Sequence, residues 1–182
     1  KARDKSAKKE VWIAGSMSSM APFNSPKEVA EGKKVESNYM ELAETLAEAG
    51  VDLIIAEMMR DVVNAKFVIK AALSTGLPVW IGYSAMLAND RKSVLSWRWK
   101  NSLPPIDFGH LVEVLSALGG DAAGIMHSQV KDTGPALDIL SRKWTGPKLV
   151  YAETGKLEKP DWSFKEIYQP KRYADEVKIW IK

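Results

Sequence analysis

Side chains able to do acid–base, hydrogen-bonding or metal chemistry stand at the ends of short apolar runs: Ser16 behind 11–14, Glu57 behind 51–56, Tyr83 closing 78–83, His127 behind 122–126 and Glu153 behind 148–151. One imidazole and two carboxylates on separate strands suit a divalent cation, because both ligand types bind zinc, manganese or iron. The same groups suit proton transfer, with Glu57 or Glu153 as general base and His127 as acid. No short ligand spacing such as His-x-x-x-His accompanies His127, so a hydrogen-bonded histidine lining a pocket accounts for it better. Glu57 also has a plain alternative, a carboxylate that caps a turn or pairs with a Lys or Arg. Thr154-Gly155-Lys156 offers backbone amides and one cation to a phosphate.

The elements that must position these groups repeat. Tyr39, Leu42, Ala43, Leu46 and Ala47 fall at helical spacing, Gly50 suits the left-handed residue that closes a helix, and 51–56 form a nearly continuous apolar strand, the pattern of a strand buried on both faces. The second copy has Asp61 as N-cap, a stripe of Val62, Ala65, Val68, Ile69, Ala72 and Leu73, Gly76 as stop and 78–83 as strand. A third copy runs from Phe108 through Leu118 to Gly119 and Gly120, then the strand 122–126. In the fourth, 135–144 is the helix, Gly146 the stop and 148–151 the strand. With 11–14 added, strands joined by helical crossovers predict a parallel α/β sheet. In such folds the strand C-termini collect the functional groups.

An open doubly wound sheet and a closed barrel both fit this pattern. A closed eight-stranded barrel takes about 250 residues, so strand count favours the open sheet. The absence of a glycine-rich phosphate loop behind any strand removes the signature of a dinucleotide-binding open sheet. The chain begins and ends inside helix-like segments, 1–9 and 173–182, which predicts a single domain over 1–182 truncated at both ends. The stretch 85–107 is long for a compact domain and predicts a rim segment or lid. Alternation of Val94, Ser96 and Arg98 against Leu95, Trp97 and Trp99 predicts a short hairpin with one apolar face.

Composition sets the outer limits. The sequence contains no cysteine, which excludes disulfides, thiolate nucleophiles and cysteine-ligated metals. A net charge of +3, with its basic excess in Lys1, Arg3, Lys5, Lys8 and Lys9, reads as a solvated face and predicts no nucleic-acid partner. Arg98 between two tryptophans lacks the broader basic surface that RNA stacking would need. No apolar run approaches the roughly 18 residues of a membrane span, and no signal-peptide core opens the chain, so the expected address is cytoplasmic.

The ordered set Val11-Trp-Ile-Ala-Gly-Ser16, Glu48-Ala-Gly-Val-Asp-Leu-Ile-Ile-Ala-Glu57, Pro78-Val-Trp-Ile-Gly-Tyr83, Gly124-Ile-Met-His127 and Leu149-Val-Tyr-Ala-Glu-Thr-Gly155 resembles consecutive strands of homocysteine S-methyltransferases. The resemblance implies a (β/α) barrel of TIM type with about five of its eight strands in this chain. It further implies methyl transfer to the thiol of homocysteine on a zinc held by three cysteines. One of those cysteines ends a Gly-x-Asn-Cys pattern where this chain has Met126 and His127, and the other two lie beyond its end. His127 thus stands at a zinc-cysteine position, and zinc, the family's cofactor, is not expected in this chain. Glu57 matches the acidic residue near the amino group of the substrate. The family's Tyr-Pro-Asn-x-Gly-Glu reads Tyr151-Ala-Glu-Thr-Gly-Lys156 here.

Three readings follow from this: a methyltransferase-family protein with its zinc ligands lost or replaced; a diverged barrel binding a small amino-acid-like metabolite without methyl transfer; and an interaction module. Ser16, Glu57, Tyr83 and Glu153 are the expected ligand-binding residues, with His127 as the one metal candidate. The expected partners are the small ligand and a second copy or another chain covering the open barrel edges.

Overall fold

The computed structural model of the protein describes residues 2–19, 33–98, 104–158 and 163–181. Helix α1 (Ala2–Ser6) precedes β1 (Ala14–Ser18), α2 (Lys33–Glu48) precedes β2 (Leu53–Met59), and α3 (Val62–Ser74) precedes β3 (Val79–Tyr83). A hairpin of β4 (Ala85–Leu87) and β5 (Val94–Ser96) follows, then α4 (Phe108–Ser116), β6 (Ala122–Gln129), α5 (Val130–Lys143) and β7 (Lys148–Glu153). A second hairpin, β8 (Lys156–Glu158) with β9 (Ser163–Lys165), leads to α6 (Pro170–Trp180).

Strands β1, β2, β3, β6 and β7 form one parallel sheet in that order. The order is sequential, without the reversal of a doubly wound sheet. Among the described residues β1 and β7 are the edges, so the sheet is open and no closed barrel is formed. Each long helix packs on the next, α2 on α3, α3 on α4, α4 on α5 and α5 on α6, which makes a single helix layer.

Side-chain alternation decides what each strand gives to that layer. Met17, Ile54, Ala56, Val79, Ile81, Tyr83, Ala123 and Ile125 point into it and are fully buried with Leu111, Leu115, Val68 and Ile69. Burying each large aliphatic side chain contributes about 1.5–3 kcal/mol, so this layer is the main source of stability. The opposite face carries Ser16, Ile55, Glu57, Trp80, Gly82, Gly124, Met126, Tyr151 and Glu153. Among the described residues no helix covers it.

Local signals operate as their chemistry requires. Asp61 accepts from Asn64 N at 2.7 Å and Asp107 from His110 N at 2.8 Å, each satisfying an orphan donor of the first turn of its helix. Gly50 and Gly76 adopt φ of 79° and 73° behind α2 and α3. At the N-terminal end of the sheet Asp52 accepts from Ile13 N at 2.6 Å and from the Arg3 guanidinium, while Asp121 accepts from Val79 N at 2.8 Å. Each carboxylate thus fastens its own strand to the preceding strand of the sheet.

Several boundaries differ from expectation. The first strand is 14–18 rather than 11–14, because Ile13 N is held by Asp52 and leaves Val11 and Trp12 exposed. Strand β6 continues to Gln129, beyond the expected Met126. Helix α5 starts at Val130 and contains Pro135, which the sequence suggested as its first residue. Thr133 Oγ1 donates to Gln129 O at 3.0 Å, and Val130, Ala136, Leu137 and Leu140 are buried along the helix, so this start outweighs the one bond that Pro135 removes. The hairpin buries Val94 and Ser96, opposite to the expected apolar set, because β5 packs against α4 and α5 while Leu95 and Trp97 stay half-buried. Residue Trp99 lies outside the described residues. The hairpin β8–β9 was not anticipated. Among the described residues no helix is long and apolar enough to cross a membrane.

Candidate functional site

Two β-bulges build the site. Between Ala56↔Ile81 and Met59↔Tyr83, residues Glu57 and Met58 oppose Gly82 alone. Between Met126↔Tyr151 and Gln129↔Glu153, residues His127 and Ser128 oppose Ala152 alone. A bulge of this kind needs one residue in an unusual backbone conformation, and Met58 (φ 56°) and His127 (φ 49°) supply it in the left-handed region. The bulged strands β2 and β6 flank β3 on either side, so the extra residues re-aim Glu57 and His127 toward each other across Gly82. A side chain on Gly82 would collide with Met126, whose thioether occupies that space.

The result is a hydrogen-bonded cluster. His127 Nε2 lies 3.2 Å from Glu57 Oε2 and 3.1 Å from Tyr151 Oη, and the His127 and Tyr151 rings meet edge to face at 5.3 Å. Tyr151 Oη also contacts Met126 Sδ at 3.5 Å. Burial, with the charge of Glu57 and a hydrogen bond to it, pushes the Tyr151 phenol up to about 12, so it stays a proton donor at neutral pH. Burial also raises the Glu153 carboxyl above its ordinary range, partly offset by attraction to His127. The His127 and Glu57 side chains remain 32% and 26% exposed, open enough for a ligand to reach. Buried serines brace the bulge: Ser84 Oγ donates to Met126 O at 2.9 Å and Ser128 Oγ accepts from Ala85 N at 2.9 Å.

The expected site residues divide. Glu57 and His127 are in contact, and Glu153 interacts electrostatically with the imidazole. Ser16 shares their face but pairs with Ile55. The residue level with Glu57 is Ser18, about 7 Å further along the strand. Tyr83 is a correction: it alternates with Val79 and Ile81, points into the helix layer and is fully buried. There its ring packs edge to face on Phe108 at 6.0 Å, its hydroxyl pairs with Ser116 Oγ at 3.0 Å, and burial pushes its pKa up to about 12. Tyr151 was missed, although its place two residues before Glu153 already put both on one strand face. Gly155 is buried, and the Lys156 side chain, on which the phosphate reading depends, lies outside what the structure describes.

Comparison with known proteins bears on the same residues. The family model for homocysteine S-methyltransferase matches residues 1–182. The chain belongs to the homocysteine S-methyltransferase family. No curated protein matches it. Among solved structures it is similar to an isomerase from Streptomyces coelicolor A3(2), at 14% identity and a TM-score of 0.47, over 78% of this chain and 33% of that one. The chain thus spans about a third of that protein's length.

The donor set does not fit the zinc that the family resemblance implies. The sequence has no cysteine to supply a thiolate. Among the described residues no group of three or more His, Asp or Glu side chains is placed to hold a metal ion. The one imidazole at the site turns Nε2 to a carboxylate and a phenol, with no third ligand beside it among the described residues.

Proposed function

We propose that this chain binds a homocysteine-type amino acid at the C-terminal rim of its sheet, as five strands of a TIM-type (β/α) barrel. Sequential strand order with one helix layer supports the barrel reading, since a barrel wall curls in one direction without a switch point. The observation that carries the site is the convergence of Glu57, His127 and Tyr151 through two left-handed bulges, because strained backbone persists where surrounding structure holds it for a purpose. Glu57 and Glu153 form an acidic side suited to an ammonium group, leaving His127 and Tyr151 for the other end of the ligand. Zinc-dependent methyl transfer is not part of this reading, since His127 stands at one thiolate position and turns Nε2 to Glu57 and Tyr151.

A second reading, ligand binding without methyl transfer, is favoured by that same donor set. Edges β1 and β7 are unpaired among the described residues, and pairing there with a second copy or another chain belongs to the proposal in either case, because unpaired parallel edges invite it. Titration calorimetry with homocysteine, homoserine and methionine tests the site. Homocysteine should bind, and Glu57→Gln should weaken it by about tenfold or more, roughly 1.4 kcal/mol. Homocysteine giving no heat, or Glu57→Gln binding as well as the unaltered protein, overturns the reading. Methionine formed from homocysteine and a methyl donor separates methyl transfer from binding alone.

A further inference from the structure

We infer that His127, through Nδ1, is the base that takes the proton from the thiol of the bound ligand, with Glu57 and Tyr151 as positioning residues. The inference rests on the proposed homocysteine-type ligand. A free thiol with a pKa of about 8.5 is only about 3% ionised at pH 7, so a protein that uses the sulfur as a methyl acceptor must remove its proton. In this chain His127 stands where the family has one of its zinc-binding cysteines, so an imidazole rather than a thiolate meets the ligand at that position.

The tautomer follows from the partners. An ionised carboxylate only accepts hydrogen bonds, so His127 Nε2, 3.2 Å from Glu57 Oε2, carries the hydrogen. Tyr151 Oη donates to Met126 Sδ at 3.5 Å, which leaves its oxygen to share the Nε2 hydrogen at 3.1 Å. Nδ1 of the neutral ring then holds the lone pair, and among the described residues it has no hydrogen-bond partner. A carboxylate pinning one imidazole nitrogen while the other works as base is the arrangement of a catalytic dyad, here with the nitrogens exchanged. The edge-to-face contact with Tyr151 and the φ of 49° fix the ring's direction, and its 32% exposure leaves it accessible.

In the step, the S–H bond breaks, its electron pair stays on sulfur, and an N–H bond forms at Nδ1. The imidazolium charge is balanced by the Glu57 carboxylate. No metal, oxidant or reductant is needed.

The test reads the ultraviolet band of the thiolate, which a thiol lacks, in protein saturated with homocysteine at pH 7 with excess chelator, per bound ligand. The expected thiolate fraction is about tenfold above that of free homocysteine. His127→Asn, chosen because asparagine tolerates the left-handed backbone, should return it to the free level. Glu57→Gln should lower it for whatever ligand still binds. Homocysteine bound with its thiol no more ionised than in solution overturns the inference alone. A thiolate band that survives in His127→Asn, or that disappears on adding chelator, does the same. No binding by the unaltered protein overturns the proposed function and this inference with it.

Discussion

Alanine at position 82 places a Cβ inside the Met126 side chain, whose Cγ stands 2.7 Å from that point and whose Sδ and Cε stand closer. Carbon atoms rest at about 3.5–4.0 Å, so the thioether must move by about 1 Å or more. A flexible methionine can do this, which places Gly82→Ala at about 1–3 kcal/mol. Two other glycines calibrate it. Gly124→Ala meets the Leu149 backbone carbonyl and side chain, which cannot swing away without parting β6 from β7, so it should cost more than Gly82→Ala. Gly76→Ala meets nothing, and its cost is only the φ of 73°, about 1–2 kcal/mol. Urea denaturation should therefore rank Gly124→Ala as most destabilising, with each kcal/mol also lowering Tm by about 2–4 °C. Gly82→Ala should in addition weaken ligand binding, because Met126 Sδ touches Tyr151 Oη and the Glu57–His127 bridge passes over this spot. Gly76→Ala should leave binding alone. Gly124→Ala as stable as the unaltered protein, or Gly82→Ala with intact binding, refutes the register that places the cluster.

Tyr83→Phe removes only the bond to Ser116 and should cost about 0.5–1.5 kcal/mol while leaving homocysteine binding unchanged. A tenfold loss of binding would return Tyr83 to the site. Burial raises the Asp132 carboxyl above its ordinary range, against the Leu87 N–H that lowers it. Folding thus favours the protonated form, whose contribution is full below the unfolded pKa of about 3.9 and lost as pH rises through the raised folded value. Asp132→Asn should accordingly be the more stable protein at pH 7, with the two converging in acid, and denaturation at both pH values checks it. Asp52→Ala, which removes the acceptor of Ile13 N and one partner of Arg3, should lower Tm more than Asp121→Ala, which removes the acceptor of Val79 N alone, in thermal melts. Metal analysis of purified protein should find no stoichiometric zinc. About one zinc per chain, lost on His127→Ala, would restore a His/carboxylate metal site.

The sequence by itself determined the alternation of helix and strand, because each helix carries an apolar stripe, a glycine or capping aspartate marks most of its ends, and each central strand is a short apolar run. It also determined that no thiolate comes from these 182 residues, since that depends on composition alone. The face on which each strand-end residue lies was legible in principle, because alternation is strict up to the first bulge. Tyr83 shows the limit, its side chain belonging with Val79 and Ile81 although its place at the strand end suggested a pocket residue. Beyond a bulge the parity changes, and neither Glu57-Met58 nor His127-Ser128 contains a glycine to announce a left-handed residue. Only the tertiary structure decided that two such bulges lie on either side of Gly82, because the β6 bulge is held by the Ser84 and Ser128 hydroxyls, the β2 bulge by Ser84 N donating to Met59 O, and both by neighbouring strands. A contact between residues 70 positions apart depends on strand order and register, and no local pattern in the chain encodes either.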